Sequence, residues 1–227
     1  MNTVSASDPS TQPWVALFDL DGTLTWRDTL LPFLLGFLRR HPQRLLRLWR
    51  LPFALLAYWT DRDRGALKSR VIRMVMGGAS RQVLEAWAET FVSDLKPSHK
   101  FRPLALAILE THRAAGDHPV LLSASPDLYV SHIGRLLGFE HTLCTELVWC
   151  GDRLDGRLKT ENRRGEEKLR CLTWLREQYR DIPIIAYGNS ASDLDHMRHA
   201  DRALLVNGNV AARRLAAKWG IAVSNWT

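Results

Sequence analysis

The chain has 227 residues, 46% of them hydrophobic, enough to bury a substantial core as one enzyme-sized unit. Its net charge of +7 comes with no recognisable nucleic-acid-binding motif, so a nucleic acid is not an expected partner. Three cysteines, Cys144, Cys150 and Cys171, are odd in number and lack metal-ligand spacing; they argue against a disulfide framework and for a reducing cytoplasm, with all three buried.

Residues 1–13, MNTVSASDPSTQP, are polar and without Lys or Arg, which predicts a disordered lead-in rather than a secretory signal. The stretch VALFDLDGTLT, from Val15 to Thr25, then predicts a parallel strand over 14–19, buried on both faces and turning sharply at Gly22. Asp19 and Asp21 fall at its carboxyl end, the edge where open α/β sheets bind ligands. Carboxylates one residue apart lean to the same side of an extended chain. They can share a divalent cation, with one attacking and the other moving protons. The bland alternative is an Asp-Gly turn beside a solvated aspartate.

Residues 27–84 carry twelve Lys or Arg against three Asp or Glu, a net +9 that exceeds the charge of the whole chain. Apolar runs LLPFLLGFL and LLRLWRLPFALLAYW are interleaved there with Arg39, Arg40, Arg44, Arg47 and Arg50. Neither run reaches the ~18 to 20 residues of a spanning helix, and Pro42 and Pro52 interrupt them. Two readings stay open. One is a helical insert whose leucines pack on themselves and on the core. The other is a basic amphipathic hairpin lying on an anionic bilayer, favoured by Trp49, Trp59 and the arginines.

Further strands are predicted near 118–123, 182–187 and 202–206, alternating with helices near 101–116, 126–138, 165–180, 190–200 and 209–219. That alternation predicts an α/β fold, a doubly wound parallel sheet with right-handed crossovers. Ser123 closes the run Val120–Leu122, where its hydroxyl could hold phosphoryl oxygens or cap the helix that Pro126 opens. CGDRLDGRLK, from Cys150 to Lys159, predicts a hairpin with its turn at Asp155-Gly156. Lys168, among charged neighbours, reads alone as a solvated helix face and in series as a cation beside a phosphoryl group. Asn189 and Asp193 follow the apolar run IIAYG, which puts them on the same sheet edge as Asp19; a plain Asn-Ser turn is the alternative.

Taken together these motifs resemble the haloacid dehalogenase superfamily, in the branch that includes phosphoserine phosphatase. Asp19, Asp21, Gly22 and Thr23 match its DxDGT motif, Ser123 its second and Lys168 its third. GNSASD, from Gly188 to Asp193, departs from the GDxxxD-type fourth motif by placing Asn189 where the family has an aspartate. The resemblance implies a catalytic core over 14–26 and 96–227, with a small helical cap over 27–95 inserted after the first strand. It implies a phosphomonoester substrate, Asp19 as nucleophile and Asp21 as acid and base. Gly22, Thr23, Ser123, Ala124 and Lys168 would surround the phosphoryl group, and Mg²⁺ would be held by Asp19, Asp21, Asn189 and Asp193. The basic, greasy cap is similar to that of the bacterial phosphatidylglycerophosphatase C group, which implies a lipid phosphate and a peripheral place on the inner face of the membrane. A small anionic phosphomonoester also fits a positive cap. A catalytically silent, membrane-associated protein of the same fold is the alternative, and metal-dependent turnover separates it from an enzyme.

Overall fold

A computed structural model describes residues 12–96 and 99–226; most of the predicted lead-in, residues 1–11, lies outside the described residues. The strands are β1 (Val15–Phe18), β2 (His118–Pro126), β3 (His141–Thr145), β4 (Leu147–Cys150), β5 (Arg153–Leu158), β6 (Ile184–Gly188), β7 (Arg202–Val206) and β8 (Ala222–Ser224). Six of them form one sheet in the order β3-β2-β1-β6-β7-β8, parallel at every pairing. β1 is therefore central, and the predicted doubly wound sheet is present.

Why β1 is apolar throughout is visible in where its residues go. Side chains alternate across a strand, so Ala16 and Phe18 enter one core while Val15 and Leu17 enter the other. On the first face they meet α5 (Pro103–Ala114) and α6 (Asp127–Leu136), and Phe18 stacks on Tyr187 at 4.6 Å between ring centroids. On the second face lie α7 (Glu166–Gln178), α8 (Ala191–Met197) and α9 (Val210–Lys218). Helices on both faces leave the carboxyl edge of the sheet as the open place for a ligand.

Between β1 and β2 the chain forms α1 (Leu30–Arg40), a 3₁₀ segment at Pro42–Arg50, α2 (Leu51–Asp61), α3 (Arg64–Met76) and α4 (Arg81–Ser93). Its two ends run side by side, with Trp26 N–H donating to the Lys100 carbonyl at 3.1 Å and Arg102 N–H to the Leu24 carbonyl at 2.8 Å. The alternative of leucines packing inward holds for α1, where Phe33, Leu34, Phe37 and Leu38 are buried. Phe33 and Phe91 close on Tyr129 of α6 at 4.4 and 5.5 Å, which joins the insert to the main core. Gly36 permits this: a Cβ there would meet the Trp87 ring at 2.5 Å. The 3₁₀ segment and α2 behave differently, and leave Leu46, Trp49, Phe53, Leu56 and Trp59 exposed.

Three sequence expectations need correction. β3 and β8 were not among the predicted strands; both lie at sheet edges, and β8 has only three residues. The hairpin turn is at Gly151-Asp152, not Asp155-Gly156, which lies within β5. Gly156 is instead required by α3, because a Cβ there would meet the Arg73 backbone at 2.9 Å. Cys150 is exposed at the hairpin end, whereas Cys144 and Cys171 are buried.

Candidate active site

Directly after β1 the chain makes one wide turn over Leu20–Leu24, closed by Thr25 N–H donating to the Leu20 carbonyl at 3.0 Å. Gly22 adopts φ +87° within it, a left-handed conformation that disfavours side chains. The glycine also makes room, since a Cβ would run into the Asn189 carboxamide. The turn presents Asp19, Asp21, Gly22 and Asn189 to a pocket of about 370 Å³ that is also lined by Trp26, Arg27, Arg164 and Lys168.

At the base of this pocket is a buried charge cluster. Lys168 Nζ donates to Asp19 Oδ1 at 2.6 Å and to Asp193 Oδ1 at 2.7 Å. The other Asp19 oxygen accepts from Thr23 Oγ1 at 3.2 Å. Lys168 is thus no solvated helix residue. Burial works to discharge it, but the two carboxylates outweigh that and hold the ammonium above its ordinary pKa. For Asp19 burial prevails over Lys168, aided by the Asp193 charge, so its carboxyl is pushed up. Burial also works to raise Asp193, but Lys168 and the other groups around it, Ser190 among them, together outweigh it and keep that carboxyl below its usual range.

Asp21 belongs to a second network. Its Oδ1 accepts from Thr29 N at 2.8 Å and Thr29 Oγ1 at 2.7 Å, and its Oδ2 from Ser125 Oγ at 2.7 Å. Thr29 Oγ1 in turn meets the Tyr129 hydroxyl at 2.9 Å. Burial raises the Asp21 pKa against the pull of Ser125 and Thr29. An elevated carboxyl fixed at the pocket wall is suited to holding a proton for transfer.

The structure modifies two of the sequence assignments. Ser123 is buried beneath the pocket, its Oγ accepting from Ser125 N–H at 3.1 Å, while its neighbour Ala124 forms the wall. It does not cap α6. Asp193 has its second oxygen taken by Ser190 Oγ at 2.6 Å and by the amides of Ser190 and Asn189 at 3.0 and 3.3 Å. Both its oxygens therefore secure Lys168 and the loop. Asp19, Asp21 and Asn189 also bring oxygens to the pocket wall.

Sequence reasoning missed Ser125, Thr29, Tyr129 and Lys68. Ser125 carried a signal, since on a strand it shares a face with Ser123, two residues earlier. Thr29 and Tyr129 lie outside the motifs, a few residues past Thr23 and Ser123. Lys68, on α3, donates to the Ala124 carbonyl at 2.6 Å and to Asn162 Oδ1 at 2.5 Å, so the insert reaches the pocket wall directly. Burial lowers its pKa to about 8, against the opposing charges of Asp21 and Asp28.

Among the described residues no three His, Cys, Asp or Glu side chains form a self-sufficient metal cage. Mg²⁺ seldom needs one, since it keeps waters and takes one or two carboxylates plus substrate oxygens. The donor set fits that habit. With both carboxyls ionised, Asp19, Asp193 and Lys168 sum to one negative charge, and Asn189 supplies a neutral oxygen.

Residues 16–198 match the haloacid dehalogenase-like hydrolase family. The chain belongs to that family. It is 36% identical to Protein CicA of Caulobacter vibrioides over 206 residues, 87% of this chain and 90% of that protein. The fold is shared with a Bordetella pertussis Tohama I protein of unknown function, at a TM-score of 0.79, 23% identity and coverage of 96% and 100% of the two chains. A phosphoserine phosphatase solved as a phospho-aspartyl intermediate analogue has the same fold, at a TM-score of 0.64, 13% identity and coverage of 95% and 94%.

Proposed function

We propose that the protein hydrolyses phosphomonoesters through an aspartyl-phosphate on Asp19. The observation that carries this reading is Asp19 at an open pocket, bound to a buried Lys168, with Asp21 two residues further in its own network. An Asp19 oxygen attacks phosphorus in line, the ester P–O bond breaks, and the leaving oxygen takes the proton held by Asp21. Water then attacks the phosphorus of the acyl phosphate, Asp21 accepts its proton, and inorganic phosphate leaves with Asp19 regenerated. Lys168 offsets charge on the nucleophile and the phosphoryl oxygens throughout. Mg²⁺, held by Asp19, the Asp21 carbonyl and Asn189, would supply further neutralisation of that charge.

Assay of the purified protein with Mg²⁺ against soluble and lipid phosphomonoesters tests the reading, and absence of metal-dependent phosphate release from all of them contradicts it. Asp21→Asn should slow turnover by about 10² to 10⁴-fold, the usual scale of general acid-base catalysis, with the fold unchanged by circular dichroism. Asn189→Asp should lower the Mg²⁺ concentration at half-maximal activity, because a carboxylate binds the cation more strongly than an amide. An unchanged half-saturation would place Asn189 outside the coordination sphere.

The substrate we favour is a lipid phosphate met at an anionic membrane surface. Among the described residues no helix is long and apolar enough to cross a membrane. Support comes from the exposed apolar side chains of the 3₁₀ segment and α2, and from the absence of any Asp or Glu between residues 29 and 60. Three arginines counted toward such a surface are held by the protein itself, Arg47 among them by the Gly77 carbonyl at 2.7 Å. Arg44 donates to the Val75 and Gly77 carbonyls at 3.1 and 3.0 Å, and Arg40 lies over the Trp87 ring at 4.4 Å. The cations available to a lipid must be sought elsewhere.

A further inference from the structure

Beside the exposed apolar face is a crevice of about 840 Å³, bounded by the 3₁₀ segment, α2, α3 and the β4–β5 hairpin. It shares no lining residue with the pocket around Asp19. Five arginines line it: Arg47, Arg50, Arg70, Arg73 and Arg153. Two carboxylates answer them. Asp155 sits 3.3 Å from Arg73 and is also bound by Arg157 at 2.8 Å, and Asp61 sits 3.2 Å from Arg70.

The arginines are not equally free. Arg47 and Arg153 are pinned to the carbonyls of Gly77 and Gly78 at 2.7 and 2.8 Å. Among the described residues, Arg50 lies only over the Trp49 ring, at 5.3 Å. Arg70 binds Asp61 through Nη2, and its Nη1 is shut off from solvent without a hydrogen-bond partner. Arginines suit phosphate geometry above other anions.

What stands around the crevice decides which phosphate. Trp49 and Phe53 form part of its lining and are largely exposed, and Leu46 and Trp59, on the same 42–61 stretch, are 80% and 73% exposed. A soluble phosphate would use the arginines and leave these side chains in water. Nucleic acid would stack bases on the aromatic rings but leave the aliphatic Leu46 and Leu56 in water. A bilayer accommodates both, placing aromatic and aliphatic side chains below the headgroups and arginines at their depth.

We propose that this crevice seats the phosphate of an anionic phospholipid headgroup in a bilayer, while Leu46, Trp49, Phe53, Leu56 and Trp59 enter the acyl boundary. It is a lipid-anchoring site separate from the catalytic pocket. The proposal rests on the membrane reading given above and deepens it by naming the residues that take the lipid.

Vesicle co-sedimentation of the full chain tests it, with phosphatidylcholine alone and with phosphatidylglycerol added. Wild type should bind the mixed vesicles and bind phosphatidylcholine only weakly. Arg50→Gln/Arg70→Gln should lose affinity for the mixed vesicles by about 30-fold, given the usual contribution of an arginine at an anionic surface. Arg50→Gln alone, which removes no hydrogen bond within the protein, should lose about fivefold and guards against misfolding of the pair. Leu46→Ser/Trp59→Ser should lose binding to both vesicle types. Turnover of a soluble phosphomonoester should be unchanged in all three.

Wild-type affinity in both arginine variants, with vesicle binding otherwise intact, overturns the crevice and leaves the membrane reading standing. Failure of wild type to bind the mixed vesicles overturns both. Inorganic phosphate binding the wild type in calorimetry as tightly as the vesicles do, and losing that binding in the arginine variants, overturns the lipid assignment in favour of a soluble anion. Single-stranded DNA retained with the same affinity and the same variant loss overturns it in favour of a polyanion groove.

Discussion

Asp19→Asn should reduce turnover of any phosphomonoester substrate by about 10⁶-fold, the scale on which loss of a nucleophile stops a covalent mechanism. The amide is nearly isosteric but a far poorer nucleophile, and it offers the pocket no negative charge. The fold should survive. Lys168 keeps Asp193 at 2.7 Å, so the buried cluster passes from two carboxylates around one ammonium to a neutral pair. Steady-state assay beside a thermal melt reads both effects. Turnover within about tenfold of wild type would remove Asp19 as the attacking group, and an unfolded variant would mean that Asp19 is a structural anion first.

Lys168→Met should produce the largest loss of stability. The lysine side chain is 4% exposed between Asp19 and Asp193, whose side chains are 10% and 4% exposed. Breaking a buried pair by removing one partner costs about 3–5 kcal/mol, because the remaining charge is uncompensated. Here two carboxylates would remain. The pH dependence follows from the shifts. Lys168 holds Asp193 below its ordinary range, so in wild type that contribution is present above the unfolded carboxylate pKa and is lost as pH falls. In the variant burial raises both carboxylates instead, and protonation relieves the charge. Its deficit should therefore shrink between neutral pH and about pH 5, just above the ordinary carboxylate pKa. Urea unfolding of both proteins across that range measures it. A deficit independent of pH would assign the loss to packing rather than to charge.

The difference between what was legible in the sequence and what was not follows the range of the interactions. β1 could be read from VALF, because a strand buried on both faces leaves a continuous apolar run, and its abrupt end at Asp19 marked the site. Gly22 was legible for the same local reason, since the turn itself demands φ +87°. Gly156 misled because a glycine next to an aspartate also suits a hairpin turn, whereas its cause is an approach by α3 from eighty-odd residues earlier in the chain. Lys168 could be picked out only by its place in a series of motifs. Its burial comes from Asp19 and Asp193, 149 and 25 residues away. The partners of Asp21 were hidden for the same reason: Ser125 lies 104 residues on, and Tyr129 belongs to α6 while acting through Thr29. The arginines of the insert show the converse. Composition located the positive charge correctly, but only contacts show that Arg44 is spent on backbone carbonyls while Arg50 and one end of Arg70 are not.

The central claim is the covalent intermediate. Rapid acid quench of a single turnover with Mg²⁺, followed by mass analysis of the peptide containing Asp19 and Asp21, reads it directly. The account requires a transient phosphoryl adduct on Asp19, absent in Asp19→Asn and longer-lived in Asp21→Asn, where water attack is slowed. Full turnover with no adduct on that peptide, or an adduct that persists in Asp19→Asn, would contradict it.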